Sequence, residues 1–431
     1  MPRLPDPAFA PDCTIHVDGA AVEARAGEPI AAALLAAGRP LVARSHKYHR
    51  PRGPFCLSGT CQSCLVRVDG QPSVRACRTP CRGGLEVETQ HALPDAAHDL
   101  LGVIDLATPH GLDHHHLGTW SQLVNQAVVA FSRQLAGLGQ LPEGAPPAPG
   151  TPVEERFDAL VIGAGPAGLA AAEALAEAGR RVLLADAEPR AGGRLRCRLG
   201  DGTGLDLAWA DRVAAAVGRA GGEALLGAPV LGLWLDGGRP LALLSQSGPT
   251  PRLRLVRPGN VLHCAGGSAV PAALEDGDRP GILWGRGLAV ALAEHGTVAG
   301  TRAVVLGVGA EAEALAARFG AVGLPTEVLE QATRALGRGR VRALQCEDGT
   351  RFNVPCDLVA VVAPPAPATD LARLLGAAAP FDPACGAFAL AVDAAGRTGV
   401  PGLLAAGEVT GAMDAAQAAA AGRRAGEAAR G

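Results

Sequence analysis

Twice in this chain a short apolar run ends in a glycine-rich turn that opens a helix, and each time a second apolar run follows and stops at an acid. The first unit is Phe157–Ile162, the turn Gly163-Ala164-Gly165-Pro166-Ala167-Gly168, a helix over Leu169–Ala178 and a strand Arg181–Ala185 ending at Asp186. The second is Ala303–Leu306, Gly307-Val308-Gly309, a helix over Glu311–Phe319 and a strand Thr326–Leu329 ending at Glu330. Strand, glycine turn, helix and strand in that order require a βαβ unit with a parallel sheet, so the fold class is α/β. In the first unit Gly163 makes the tight turn, Gly165 lets the backbone approach a pyrophosphate and Gly168 permits close helix–strand packing. The helix N-terminus then faces the phosphates with its positive end, and Asp186 can accept hydrogen bonds from an adenosine ribose. The second unit keeps Gly307 and Gly309 but has Ala312 at the third position. It either binds NAD, with the Glu330 carboxylate disfavouring the 2′-phosphate of NADP, or is retained as a packing domain.

The eleven cysteines matter through their spacing. Cys56-x4-Cys61-x2-Cys64 followed by the more distant Cys77 is the plant-type ferredoxin arrangement, in which four thiolates hold a [2Fe–2S] cluster. The short loop supplies three ligands and aims backbone N–H groups at the sulfurs; Gly59 lets it turn where a β-carbon would crowd the cluster. The competing assignment is a structural zinc site, which ordinarily pairs its ligands as two C-x2-C units, whereas only Cys61 and Cys64 have that spacing. Cys81 is a spare, either part of a turn or an alternate ligand. Around this loop, Asp18-Gly19 and Asp69-Gly70 mark hairpins joining Thr14–Val17 to Ala21–Ala24 and Leu65–Val68 to Ser73–Ala76, and Pro29–Ala37 reads as a short helix. Strands, one helix and more strands make a small α+β domain. The basic run Arg44-Ser45-His46-Lys47-Tyr48-His49-Arg50-Pro51-Arg52-Gly53 before the loop is either a solvated surface or an anchor for the cluster domain against a cofactor phosphate or a partner domain.

Length sets the frame: 431 residues at about 150 per domain suggests two or three domains. The expected boundaries are 1–92 for the cluster domain and 93–153 for a helical connector and proline-rich linker. The nucleotide-binding part divides into 154–297, a second dinucleotide-type domain at 298–365, and the return of the first at 366–431. Within the connector, Trp120–Leu138 carries Leu123, Val124, Ala127, Val128, Phe131 and Leu135 at helical spacing and is expected to pack between domains. Leu141–Val153 is crowded with prolines and reads as a stiff linker. Thirty-nine basic against 42 acidic residues leave a net charge of −3, so there is no basic excess for a nucleic-acid partner. No run of about 18 apolar residues and no leader pattern stands in the sequence, and a cytoplasmic location is expected. His114-His115-His116 reads as a polar loop, since three consecutive side chains do not converge on one ion. No nucleophile elbow, paired-histidine metal motif or spaced carboxylate pair is present, and no catalytic acid or base is assigned.

Three further segments extend the first glycine motif: Gly192-Gly193-Arg194, Val261-Leu262-His263-Cys264-Ala265-Gly266-Gly267, and Thr398-Gly399-Val400-Pro401-Gly402-Leu403-Leu404-Ala405-Ala406-Gly407-Glu408. With these the chain resembles the two-dinucleotide-binding-domain flavoproteins that include the pyridine-nucleotide disulfide oxidoreductases. The resemblance implies FAD, with Gly193, Arg194 and Gly266 beside it. It also implies an acid of the last segment, here Glu408 after Gly407 where the family has Gly-Asp, against its ribityl or pyrophosphate part. The redox Cys-x-x-Cys of the disulfide-reducing members has no counterpart, because Cys61 and Cys64 belong to the ferredoxin-type loop. NADH-using relatives often have a glycine where Val359–Ala363 here runs into Pro364-Pro365.

The basic run at 44–53, Ala136-Gly137-Leu138-Gly139 and Asp278-Arg279-Pro280-Gly281 narrow the resemblance to the alpha-type subunits of multicomponent amine dehydrogenases. That group includes heterotetrameric sarcosine oxidase, hydrogen cyanide synthase, and opine and hydroxyproline dehydrogenases. It covers nearly the whole sequence, without the extra C-terminal iron–sulfur or folate-binding-like modules of some relatives. It implies a two-dinucleotide-binding-domain flavoprotein fold preceded by a ferredoxin-like domain, and an electron-transfer role beside a beta-type flavoprotein that oxidises a C–N bond. A self-contained NADH-dependent reductase and an assembly module with structural cofactors are the alternatives.

Overall fold

Asp18 and Gly19, at φ 51° and 77°, form the two-residue turn joining strands Cys13–Val17 and Ala20–Ala24, and Asp69 and Gly70 do the same between Leu65–Val68 and Gln71–Arg75. Left-handed turn residues match the twist of the strands they join, so both hairpins close as expected. In the computed structural model, residues 3–107, 116, 118–135, 150–200, 204–246 and 252–430 are described. His114, His115, Ala136–Gly139 and the linker up to Pro149 lie outside them.

The described chain divides into two units: Met1–Ala145 with Pro271–Ala363, and Pro146–Val270 with Pro364–Gly431. In the first unit the two hairpins are joined through Glu86–Glu88, which pairs parallel to Cys13–Val17 and antiparallel to Leu65–Val68, giving a five-stranded mixed sheet. Helix Ile30–Ala36 is buried at every residue and packs Ile30 and Leu34 against Ile15, Val17, Val66 and Val87. This is the small α+β ferredoxin-like domain. The same unit holds a four-stranded parallel sheet in the order Ile282–Trp284, Leu358–Val361, Ala303–Leu306, Thr326–Leu329.

That sheet moves a boundary. Residues 271–297 were expected to close the first nucleotide domain, but Ile282–Trp284 pairs with Leu358–Val361, so strand and following helix, Gly285–His295, belong to the second domain. The Gln122–Leu135 helix also differs from expectation. Among its described side chains, which run to Ala130, none is buried, and Leu123 is 79% exposed, so this described part of the stripe is not packed into a core.

The second unit is built on Val153–Ile162, which begins where the linker was expected to end. Six strands of its seven-stranded sheet run Glu223–Leu226, Val182–Asp186, Val153–Ile162, Arg252–His263, Arg239–Gln246, Val230–Asp236, and the seventh, Leu403–Ala405, joins off this path. Arg252–His263 changes partner along its length: its first half pairs antiparallel with Arg239–Gln246, and its last three residues pair parallel with Leu403–Ala405. Arg254 ties three strands together by forked hydrogen bonds of 2.7 Å to both Glu155 and Glu223. Helices Pro166–Glu177 and Ala415–Ala428 pack backbone to backbone, since a β-carbon on Gly422 would lie 1.9 Å from the Ala167 carbonyl oxygen and one on Gly426 2.6 Å from that of Ala171. Among the described residues no helix is long and apolar enough to cross a membrane.

Candidate functional site

In the second unit four segments distant in sequence meet at the carboxyl end of the parallel strands. Gly163 is at φ 104° with its Cα so close to the 264–265 backbone that a β-carbon would stand 2.3 Å from the Cys264 carbonyl oxygen. Gly168 is closed off more tightly, its added β-carbon falling 1.8 Å from Gly163 O, which is the close helix–strand packing the motif requires. Gly165 differs: a β-carbon there meets nothing nearer than Gly193 Cα at 3.9 Å. It faces open space at the N-terminus of Pro166–Glu177, where backbone approach to a phosphate is possible.

Gly193, at φ 50°, brings the Gly192-Gly193-Arg194 segment onto this turn, with Gly192 N donating to Ala164 O at 2.8 Å. Asp186 braces the turn as well, accepting from Ala164 N at 2.5 Å and from Glu188 N at 2.7 Å. Burial raises its carboxyl pKa, and those two donors partly offset the effect. From the far side, Arg194 Nη1 donates to Glu408 Oε1 at 3.0 Å and to Met413 O at 2.6 Å. Gly407, at φ 85°, sits against Ala167, and a β-carbon on Gly266 would lie 3.9 Å from Glu408 Oε2. Thus Gly163, Gly165, Gly168, Asp186, Gly193, Arg194, Gly266, Gly407 and Glu408 gather in one place. The final helix was not read as part of this cradle from the sequence; the Asp414-x-x-Gln417 capping box and the Gly422-x3-Gly426 spacing were its available signals.

Gly307, Gly309 and Glu330 stand in the first unit. Gly307 is packed with its Cα against Val362, where a β-carbon would lie 2.1 Å from the carbonyl oxygen, while Gly309, at φ 87°, is open. Glu330 is exposed just beyond Thr326–Leu329. The helix after this turn, Ala310–Ala321, carries Glu311 and Glu313 in its first turn. Glu311 is held by Arg286 through Nε and Nη2 at 2.8 and 3.0 Å.

The ferredoxin-type loop brings its four cysteines together. Cys56 accepts from the thiols of Cys61 and Cys77, which lowers its pKa, and Cys64 is lowered by the Cys77 thiol. Cys61 and Cys77 are correspondingly raised, each first by hydrogen bonding to Cys56. Ser58 N points at Cys56 Sγ at 3.4 Å and Ser63 N at Cys61 Sγ at 3.5 Å. The loop turns through left-handed Leu57, Gly59 and Gln62, and Gly59 leaves room for the Arg78 side chain. Four thiols with backbone donors aimed at sulfur fit a two-iron cluster. Among the described residues no three His, Cys, Asp or Glu side chains are arranged around a single metal ion. Cys81 is buried, its thiol pushed up to about 12 by burial and by Glu28 and Cys13.

Most of the basic run is engaged rather than solvated, with His46 and Lys47 exposed. Arg44 donates to Ala96 O at 2.8 Å and His49 O at 3.1 Å, buried His49 meets Asp99 at 2.8 Å, Arg50 pairs with Asp105 at 2.9 Å, and Arg52 pairs with Asp278. The last contact joins the cluster domain to the second dinucleotide-type domain.

A glycine cradle on a doubly wound sheet, a second parallel βαβ sheet and a thiol quartet on a ferredoxin-like domain define a two-dinucleotide-binding-domain flavoprotein fold carrying a [2Fe–2S] domain. Residues 11–92 match the 2Fe-2S iron-sulfur cluster binding domain family, and 161–210 match the NAD(P)-binding Rossmann-like domain family. The sarcosine oxidase alpha subunit of Rhizobium meliloti (strain 1021) is 28% identical over 359 residues, 76% of this chain and 35% of that one. The hydrogen cyanide synthase subunit HcnA of Pseudomonas aeruginosa is 43% identical over 84 residues, 20% of this chain and 80% of that one. The crystal structure of L-proline dehydrogenase from P. horikoshii superposes with a TM-score of 0.75 at 18% identity, covering 99% of this chain and 74% of that one. The chain belongs to the family of alpha-type FAD- and [2Fe–2S]-containing subunits of multicomponent amine dehydrogenases. It spans about a third of the length of the sarcosine oxidase alpha subunits it matches.

Proposed function

We propose that this chain is the electron-transferring, alpha-type subunit of an amino- or imino-acid dehydrogenase complex, acting beside a beta-type flavoprotein that oxidises the C–N bond. The observation that carries this reading is the presence in one chain of a pyrophosphate cradle and a four-thiol loop. Bound FAD supplies two-electron chemistry that can be released one electron at a time, and a bound [2Fe–2S] cluster carries one. The chain's own residues do the holding. Gly163, Gly165 and the N-terminus of Pro166–Glu177 receive the pyrophosphate, Asp186 faces the ribose, and Gly193, Gly266, Gly407 and the Arg194–Glu408 pair shape the rest of the cradle. Cys56, Cys61, Cys64 and Cys77 ligate the cluster.

Glu311 and Glu313 support the subunit reading over a self-contained NADH reductase. They stand in the first turn of Ala310–Ala321, the helix end that would receive the nicotinamide dinucleotide's pyrophosphate; the Glu313 carboxylate there opposes an anion, and Glu311 does so in part, its charge being offset by Arg286. Two features favour NAD at this second motif: the open approach at Gly309 and the exposed Glu330 at the end of the second strand.

An anaerobic visible spectrum of the purified chain, taken before and after NADH and then dithionite, separates the two. Flavin and cluster bands that ignore NADH and bleach with dithionite support the subunit reading; bleaching of both by NADH makes the chain a nicotinamide-linked reductase. Turnover of sarcosine or proline by the chain without a partner overturns the subunit assignment.

A further inference from the structure

Two sequence segments left without a role lie against each other in the first unit. Arg52 pairs with Asp278, and Gly53 is so close to Pro280 that an added β-carbon would stand 3.1 Å from the ring. Trp284 N donates to Phe55 O at 2.9 Å, and a β-carbon on Gly287 would lie 2.3 Å from the carbonyl oxygen of Cys56. The order is the same on both strands of this seam: 52 to 278, 53 to 280, 55 to 284, 56 to 287.

The seam ends on helix Gly285–His295, and the cluster domain grips both ends of that helix. At its C-terminal end Arg3 donates to His295 O at 3.2 Å, Leu4 N donates to Gly296 O at 2.8 Å, and Arg25 donates to Glu294 O at 2.8 Å. Gly296, at φ 63°, lies against the Phe9 ring. At its N-terminal end the first turn carries Arg286, whose side chain is only 9% exposed, its guanidinium held by Glu311 and lying over the Trp284 ring at 5.8 Å. The Cys56 carbonyl therefore rests on the positive end of a helix, one residue from a buried cation.

We propose that the first turn of Gly285–His295 is a redox-tuning seat for the iron–sulfur cluster, with Gly287 the positioning residue and the Arg286–Glu311 pair setting the local charge. This rests on the assignment of Cys56, Cys61, Cys64 and Cys77 as cluster ligands. Reduction adds one electron and one negative charge to the cluster. A helix N-terminus and a cation next to a ligating loop stabilise that charge and raise the potential. A carboxylate beside the cation offsets part of the effect. The second dinucleotide-type domain then has a role that does not depend on binding a nucleotide.

The test is a mediated redox titration of the intact chain, with dithionite as the electron source and the reduced-cluster EPR signal as the readout, beside iron and sulfide analysis. Gly287→Ala pushes the Cys56 loop off the helix, and the expected result is at least a threefold weaker one-electron reduction, about 28 mV lower. Glu311→Gln leaves Arg286 less compensated without touching the loop, and the expected shift is of similar size in the opposite direction. If Gly287→Ala fails to hold its cluster, Glu311→Gln decides alone. Unchanged potentials at full cluster content overturn the proposal. A wild-type chain without iron and sulfide instead overturns the ligand assignment on which it rests.

Discussion

Arg194 and Glu408, 214 residues apart, meet through a 3.0 Å hydrogen bond at the edge of the glycine cradle. Their side chains are 20% and 11% exposed, so the pair is largely desolvated and each charge depends on the other. Arg194 also holds Met413 O, one residue before the cap of the final helix, and so ties the Gly192-Gly193 turn to that helix. Arg194→Ala is expected to strip Glu408 of this donor and cost about 2 kcal/mol. That appears as roughly a thirtyfold weaker FAD affinity in a flavin titration, together with flavin release at lower temperature. Arg194→Lys, which keeps the charge but not the guanidinium fork, should fall between. Affinity unchanged in both variants would show that the pair does not shape the cradle.

Gly165 and Gly168 separate folding from binding. A β-carbon at Gly168 would lie 1.8 Å from Gly163 O, whereas one at Gly165 finds no atom nearer than 3.9 Å. Gly168→Ala is therefore expected to lower the melting temperature of the flavin-free chain and to abolish FAD binding. Gly165→Ala should melt like the wild type, its backbone φ of −81° being open to any residue, and yet lose FAD affinity at least tenfold because the methyl group occupies the approach to the pyrophosphate. Circular dichroism melts of flavin-free protein, paired with flavin titration, read the two effects separately. Normal FAD binding by Gly165→Ala would displace the pyrophosphate from this turn.

The thiols divide in the same way. Replacing Cys56, Cys61, Cys64 or Cys77 singly by Ser is expected to remove the cluster's visible bands and most of the iron and acid-labile sulfide. Cys81→Ser should leave all three at wild-type levels. Cys81 is 3% exposed and burial pushes its thiol up to about 12, so it is also expected to resist alkylation at pH 8. Loss of the cluster from the Cys81 variant would make it a ligand.

Local signals account for what the sequence disclosed. The strand–turn–helix units and the cysteine loop announce themselves within about ten residues, because a left-handed turn requires glycine and a cluster loop requires fixed thiol spacing. Gly193, Gly266 and Gly407 were readable as separate candidates, but nothing local says that Arg194 reaches Glu408. The same holds for Arg52 with Asp278: both belong to recognisable segments, and only tertiary packing joins them. The misplaced boundary has a local cause too. Ile282–Trp284 is three residues long and wholly buried, so it shows no alternation to tell which sheet it enters. The Gln122–Leu135 helix has the spacing of a packed helix, yet none of its described side chains is buried, and periodicity alone does not distinguish the two cases.

His263 gives the second unit a pH dependence of defined sign. It is 1% exposed at the end of Arg252–His263, its Nε2 donates to Ala368 O at 2.7 Å, and its Nδ1 is buried with no hydrogen-bond partner among the described residues. Burial lowers its pKa below the ordinary 6.5, so the folded chain keeps the ring neutral under conditions where the unfolded chain protonates it. The unfolded state then binds more protons, and stability falls as pH drops below about 6.5, levelling off once the folded-state pKa is passed. The slope from this one residue is at most about 1.4 kcal/mol per pH unit. His263→Gln keeps a donor for Ala368 O and does not titrate. Urea unfolding midpoints at pH 7, 6 and 5 are expected to fall more steeply for the wild type than for the variant, and the difference between the two slopes isolates the histidine. Parallel slopes would mean that the ring takes up its proton in the folded chain as readily as in the unfolded one, against the geometry at Nδ1.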